Sequence, residues 1–160
     1  MTKINFTPSF KLSFKIYDFK ESTSTRHMNI MSIGQSLHLN NWPQILGIWF
    51  NPKSSNIRIH MGATSNHNPH YDISTGWKTC NNCVHTFELT YDNQTGRVRI
   101  FLDGKNKGKP AGEHVFDRNQ LAFDRVDQNE KEVRLMIAHR TWGKGNFGEI
   151  GLINFEPLRQ

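Results

Sequence analysis

The chain has 160 residues, 20 Lys and Arg against 14 Asp and Glu, a formal net charge of +6 and a pI near 9.5. That length closes one two-layer core and asks for no second one, so residues 1–160 read as a single domain, whether alone or as a module of a longer protein. No run approaches the roughly 18 apolar residues of a membrane-spanning helix, and no basic segment followed by an apolar one opens the chain as a signal peptide would.

Ser9 to Tyr17 alternates, with Phe10, Leu12, Phe14 and Ile16 on one face and Lys11, Ser13 and Lys15 on the other, the pattern of a half-buried strand. The same reading predicts strands at Met28–Ile33, Leu37–Leu39, Gln44–Phe50 and Asn56–Met61, punctuated by Gly, Pro, Asn and Ser. A long irregular stretch, residues 62–82, comes next. From Val84 the alternation returns: Phe87, Leu89 and Tyr91 share a face, Asp92-Asn93-Gln94-Thr95-Gly96 supplies a turn, and Val98, Ile100 and Leu102 share a face on the way back. Asp103-Gly104 begins a further reversal. A second irregular stretch, residues 105–131, precedes strands at Val133–His139 and Phe147–Phe155. No segment keeps a helical period, and many short strands without helices argue an all-β, antiparallel sandwich. Eleven Phe and four Trp concentrate the apolar area that such a thin core needs in few side chains.

The hairpin, with Tyr91-Asp92, Gly96-Arg97 and Asp103-Gly104-Lys105, together with Phe147-Gly148-Glu149-Ile150 near the end of the chain, resembles the laminin G-like branch of the concanavalin A-like jelly rolls. The resemblance spans nearly the whole chain and implies a two-sheet jelly roll whose last strand closes beside Ser9–Tyr17. It also implies an extracellular or surface-exposed module that binds carbohydrate.

The superfamily includes glycoside hydrolases, whose retaining members carry a Glu-x-Asp-x-x-Glu motif on one strand so that alternation points the carboxylates into one cleft. That triplet is absent here, and no nucleophile elbow marks a serine hydrolase. The chain therefore reads as non-catalytic. Asp124, Asp127, Glu130 and Glu132 form an acidic cluster in a polar stretch, a solvated loop or a set of calcium oxygens without EF-hand spacing.

In the first long stretch His67-Asn68-Pro69-His70 precedes Cys80-Asn81-Asn82-Cys83. His67, His70, Cys80 and Cys83 have the pair spacings of a tetrahedral zinc site, and the alternatives are a local Cys80–Cys83 disulfide or two free thiols. No cofactor is required by the fold itself. His67-Asn68-Pro69 is also similar to part of the galactose-binding motif of galectins, with Trp77 downstream as a stacking ring, although His70 stands where that motif has Arg. The similarity implies a sugar site at His67, Asn68, His70 and Trp77, since His and Asn bond hydroxyls while Trp packs on a pyranose face.

Arg97 and Arg99 fall on one face of the return strand, with Lys105 and Lys107 following, and together they offer an alternative face for an anionic glycan. Lys11, Lys15, Arg58 and Arg134 extend that stripe if their strands neighbour the hairpin. Nucleic acid is disfavoured, because no aromatics interleave these cations in a recognised motif. Trp49, between Ile48 and Phe50, reads as core packing; Trp42, Trp77 and Trp142 lie in turn-like sequence. The expected function is a recognition module for a glycan or glycoprotein. The alternative is a structural or protein-interaction domain of a larger assembly, such as an adhesion, attachment or coat component.

Overall fold

Phe10, Leu12, Phe14 and Ile16 are buried and the Lys and Ser residues between them are turned outward, so the first alternating segment folds as the half-buried strand its period dictates. A computed structural model describes residues 2–4, 6–34, 45–62, 69–104, 109–118, 133–137 and 147–158. Eleven strands occupy them: β1 (Thr2–Ile4), β2 (Phe10–Tyr17), β3 (Met28–Gly34), β4 (Leu46–Phe50), β5 (Ile57–Met61), β6 (His70–Ile73), β7 (Val84–Asp92), β8 (Arg97–Leu102), β9 (Gly112–Val115), β10 (Val133–Ile137) and β11 (Glu149–Pro157).

They form two antiparallel sheets, one of six strands in the order β1-β10-β3-β4-β5-β6 and one of five in the order β11-β2-β7-β8-β9. Strands distant in sequence lie side by side, β10 between β1 and β3 and β11 beside β2, as in a jelly roll. The expected closure of the last strand on residues 10–17 is realised, Glu149 pairing with Tyr17 and Pro157 with Phe10.

Between the sheets the aromatic residues carry the core. Phe14 stacks on Phe87 at 4.9 Å, Phe10 on Phe155 at 5.2 Å, and Phe50 meets Phe147 at 5.3 Å. Each such buried side chain stabilises the fold by about 1.5–3 kcal/mol. The turn between β7 and β8 needs its glycine: Gly96 has φ +75° and donates its N–H to the Asp92 carbonyl at 2.8 Å, while a Cβ there would collide with the Phe116 carbonyl.

Three short strands escape the sequence reading. The stretches 62–82 and 105–131, expected as irregular, contain β6 and β9, which are the outer strands of their sheets and meet through Tyr71 stacked on His114 at 5.0 Å. β1 is likewise a short edge strand. The expected strand Leu37–Leu39 lies outside the described residues.

Candidate functional site

Alternation sorts the residues of the six-stranded sheet into two faces. Ile48, Phe50, Ile57, Ile59 and Met61 belong to the core, so Trp49, Arg58 and His60 project from the opposite face. Register aligns Asn29, Trp49, Arg58 and Asp72 in one outward row and Ser32, Gly47, His60 and His70 in the next. Trp49 is buried, only 8% exposed, yet stands apart from the core cluster. Its indole lies over Gly47, where any Cβ would overlap ring carbons Cη2 and Cζ3, and its centroid is 5.6 Å from the His60 ring. β3 and β4 are buried on both faces, so the accessible part of this surface lies toward β5 and β6.

There Arg58 and Asp72 form a two-pronged ion pair, Nε to Oδ1 at 2.9 Å and the Nη2 amine to Oδ2 at 3.2 Å, and Asn51 donates Nδ2–H to the same Oδ1 at 3.2 Å. The hydrogen bond from Arg58 chiefly holds the Asp72 carboxyl below its ordinary range, aided by Asn51 and the nearby His70, while burial opposes the shift. The carboxylate thus stays ionised. Asn51 keeps Oδ1 buried without a hydrogen-bond partner among the described residues.

The site expected in the first long stretch is only partly assembled. His67 and Asn68 lie outside the described residues. His70 stands on β6 opposite His60, an exposed position on the face just described. Trp77 is not an exposed platform: it is 3% exposed, joins the core, stacks on His85 at 4.4 Å and donates its indole N–H to Asp103 Oδ2 at 2.9 Å. Buried, with His85 stacked on its ring and Phe19 packed edge-on against it, this indole offers sugar no surface.

Of the expected zinc set, His67 lies outside the described residues. Cys80 and Cys83 are joined as a disulfide, with Cα atoms 5.8 Å apart, so they present no thiolates. Among the described residues the histidine whose ligand atom converges on them is His85, and His70 is not part of that group. The acidic cluster from Asp124 to Glu132 lies outside the described residues.

The basic face of the five-stranded sheet carries carboxylates as well. Arg97 and Arg99 do share a face of β8, both half-exposed, but a Glu113 carboxylate oxygen on β9 lies 3.0 Å from Arg97 Nε and 3.7 Å from Arg99 Nε. Lys11 on β2 stands between Glu88 and Glu156 at 3.6 and 3.7 Å. Cations and carboxylates alternate across this sheet, which weakens any net positive field. Arg58 and Arg134 belong to the other sheet and cannot extend the stripe. Lys105 and Lys107 lie outside the described residues.

These sheets define an all-β, two-sheet jelly-roll sandwich. Solved structures of similar fold include the CBM40 of Ruminococcus gnavus IT-sialidase bound to α2,3-sialyllactose, at TM-score 0.60 and 10% identity over 94% of this chain and 78% of that one. Domain 4 of AbnA, a GH43 extracellular arabinanase from Geobacillus stearothermophilus in complex with arabinotriose, matches at 0.56 and 14% over 97% and 64%. Sheep galectin-11 in complex with glycerol matches at 0.50 and 7% over 97% and 95%. Identities this low establish the fold alone. No protein-family model matches the sequence, and no curated protein matches it.

Proposed function

We propose that this chain is a non-catalytic carbohydrate-recognition module whose sugar site is the outer face of β4, β5 and β6. The observation that carries the reading is the Arg58–Asp72–Asn51 network beside Trp49, His60 and His70. A saccharide demands such a mixture. Its hydroxyls need fixed donors and acceptors, which an ion pair braced by an amide supplies, and its C–H faces need a flat ring, which the imidazoles of the part-exposed His60 and the exposed His70 offer beside the buried Trp49. Arg58 and the exposed His70 suit a carboxylated or sulfated sugar, and the net charge of +6 favours the approach of an anionic glycan. The R. gnavus module of similar fold, bound to sialyllactose, supports that direction.

The carboxylates support a binding role over hydrolysis. Glycosidases place two carboxyl groups about 5–9.5 Å apart, one of them with a raised pKa. Along β4, β5 and β6 Asp72 is the one carboxylate, and its pKa is lowered. The finer family placement, in the laminin G-like branch, belongs to this reading through the hairpin and the closing strand. So does an extracellular setting, with which a disulfide agrees. Among the described residues no helix is long and apolar enough to cross a membrane.

A glycan array on the purified chain, with neutral, sulfated and sialylated members, tests the proposal at low and physiological salt. Signals that persist at physiological salt are expected. Signals confined to sulfated chains and lost with salt would reduce the interaction to charge attraction.

A protein-interaction role is the second reading, favoured by a separate observation on the five-stranded sheet. Leu152, 68% exposed, stands at an irregularity of β11 beside a shallow depression of about 250 Å³ lined by Phe101, Lys15 and Glu88. Concentration-dependent association abolished by Leu152→Asp, with a blank glycan array, would put this reading first.

A further inference from the structure

The short segment before β7 brings sulfur and imidazole together in a way that neither the fold nor sugar recognition requires. Backbone hydrogen bonds anchor it at both cysteines: Cys80 donates its N–H to the Phe19 carbonyl at 3.0 Å, and the Cys83 carbonyl accepts from Asp18 N–H at 3.0 Å. Asn82, with φ +58°, makes the turn between them and donates its N–H to Asp18 Oδ1 at 2.7 Å. The pair is therefore held near residues 18–19 by contacts that do not depend on the sulfur–sulfur bond.

His85 completes the group. Its Nδ1 lies 3.1 Å from both carboxylate oxygens of Asp103, and its ring is clamped between Trp77, stacked at 4.4 Å, and the edge of Phe19. Asp103 is itself fixed, accepting from Thr86 N–H and the Trp77 indole, each at 2.9 Å. A carboxylate on Nδ1 places the proton there and leaves the Nε2 lone pair free to ligate. That Nε2 faces Cys80 Sγ at 3.9 Å, and the ligand atoms of Cys80, Cys83 and His85 all lie within 4.8 Å of one another. In a tetrahedral zinc site, Zn–S and Zn–N bonds of about 2.3 and 2.0 Å separate S from N by about 3.5 Å and S from S by about 3.8 Å. The Cys80–His85 distance is thus within a few tenths of an ångström of that requirement, while the two sulfurs must move apart once their bond is reduced.

We propose that the reduced Cys80–Cys83 pair and His85 form a three-ligand site for a zinc-class cation, with Asp103 orienting the imidazole, and that the disulfide is its closed, metal-free form. A dithiol reductant opens it: two electrons pass to the disulfide, the reductant's own sulfurs join, and both cysteines gain protons. The cation then displaces those two protons as the thiolates ligate it. Cys80, Cys83 and His85 are partly exposed, so reductant and cation both have access, and solvent supplies the fourth ligand. A lone Cys-x-x-Cys would bind such an ion weakly. The carboxylate-held imidazole two residues on distinguishes this site.

The test uses the whole chain and Co(II) as a spectroscopic probe, before and after reduction with a water-soluble phosphine. Reduced protein is expected to bind one Co(II), with tetrahedral d–d bands and thiolate charge-transfer absorption, while disulfide-intact protein binds none. His85→Gln should change the spectrum and weaken binding about 100-fold, and Asp103→Asn should weaken it about 10- to 100-fold. Should a variant fail to fold, the wild type still decides: Zn(II) is expected to slow alkylation of both cysteines and shift the His85 Nε2 nitrogen resonance. Absence of Co(II) binding by the reduced wild type, unchanged alkylation, or a His85→Gln spectrum and affinity equal to wild type would overturn the proposal.

Discussion

Asp103 bears the most interactions of any residue near the disulfide, and removing its side chain has a consequence that can be worked out in advance. It accepts from the buried Trp77 indole, from Thr86 N–H and from His85, and its own N–H binds the Thr86 carbonyl at 2.9 Å. Asp103→Ala leaves the Trp77 and Thr86 donors without acceptors, at about 1–3 kcal/mol each. It also places a plain Cβ at φ +56°, where Asp is tolerated and Ala adds about 1 kcal/mol. The total expected loss is about 4 kcal/mol, or a fall in Tm of roughly 10 °C for a domain of this size. Asp103→Gly removes the same acceptors without the backbone strain and should cost about 1 kcal/mol less than Ala. Asp103→Asn keeps one oxygen acceptor and should be the mildest. Urea unfolding of the disulfide-intact proteins, followed by Trp fluorescence, measures the series. A loss below about 1 kcal/mol in Asp103→Ala, or an Asn variant as damaged as Ala, would refute the reasoning.

Other substitutions probe separate links. Gly47→Ala is expected to lift the Trp49 indole from the sheet, costing about 1–3 kcal/mol by overpacking and reducing glycan binding more than stability alone explains; titration of the folded variant checks it. Because the folded-state pKa of Asp72 is depressed, its ion pair contributes stability above about pH 4 and loses it as pH falls through the lowered value. Wild type and Asp72→Asn should thus differ by about 1 kcal/mol or less in urea at pH 7 and converge as pH falls through that lowered value, the half-exposed pair being screened. Leu152 has φ +50°, so Leu152→Gly should melt at or above the wild-type temperature and Leu152→Val below it, read by calorimetry.

Where the sequence alternates strictly, the strands were legible. β2, β7 and β8 bury every second residue, and their period of two leaves one orientation that hides the apolar set. β6 and β9 were hidden because His70-Tyr71-Asp72-Ile73 and Gly112-Glu113-His114-Val115 are short, mixed edge segments whose pairing comes from distant partners. Missing β9 also hid Glu113, which pairs with Arg97 and Arg99 and offsets one of their two charges. Beside Gly76, Trp77 could stand as a platform or fold back onto the core, and what decides it, its indole partner Asp103, stands 26 residues away. The Cys80–Cys83 spacing suits a disulfide and a metal equally, and only the fold identifies His85 as the neighbouring imidazole. One signal was available and unused. With Ile48 and Phe50 inward, parity puts Trp49 outward, as Ile59 and Met61 do His60, on the face where the same alternation already set Arg58.

The central claim is that the outer face of β4–β6 binds sugar, and it is tested most directly by comparing Arg58→Ala with an Arg97→Ala, Arg99→Ala double variant on the glycans that the wild type retains at physiological salt. Arg58→Ala is expected to lose at least tenfold in affinity, matching about 1.5–3 kcal/mol for a hydrogen bond to a charged group, while the double variant binds as wild type. Full binding by a folded Arg58→Ala, or loss confined to the Arg97 and Arg99 variant, would contradict the account.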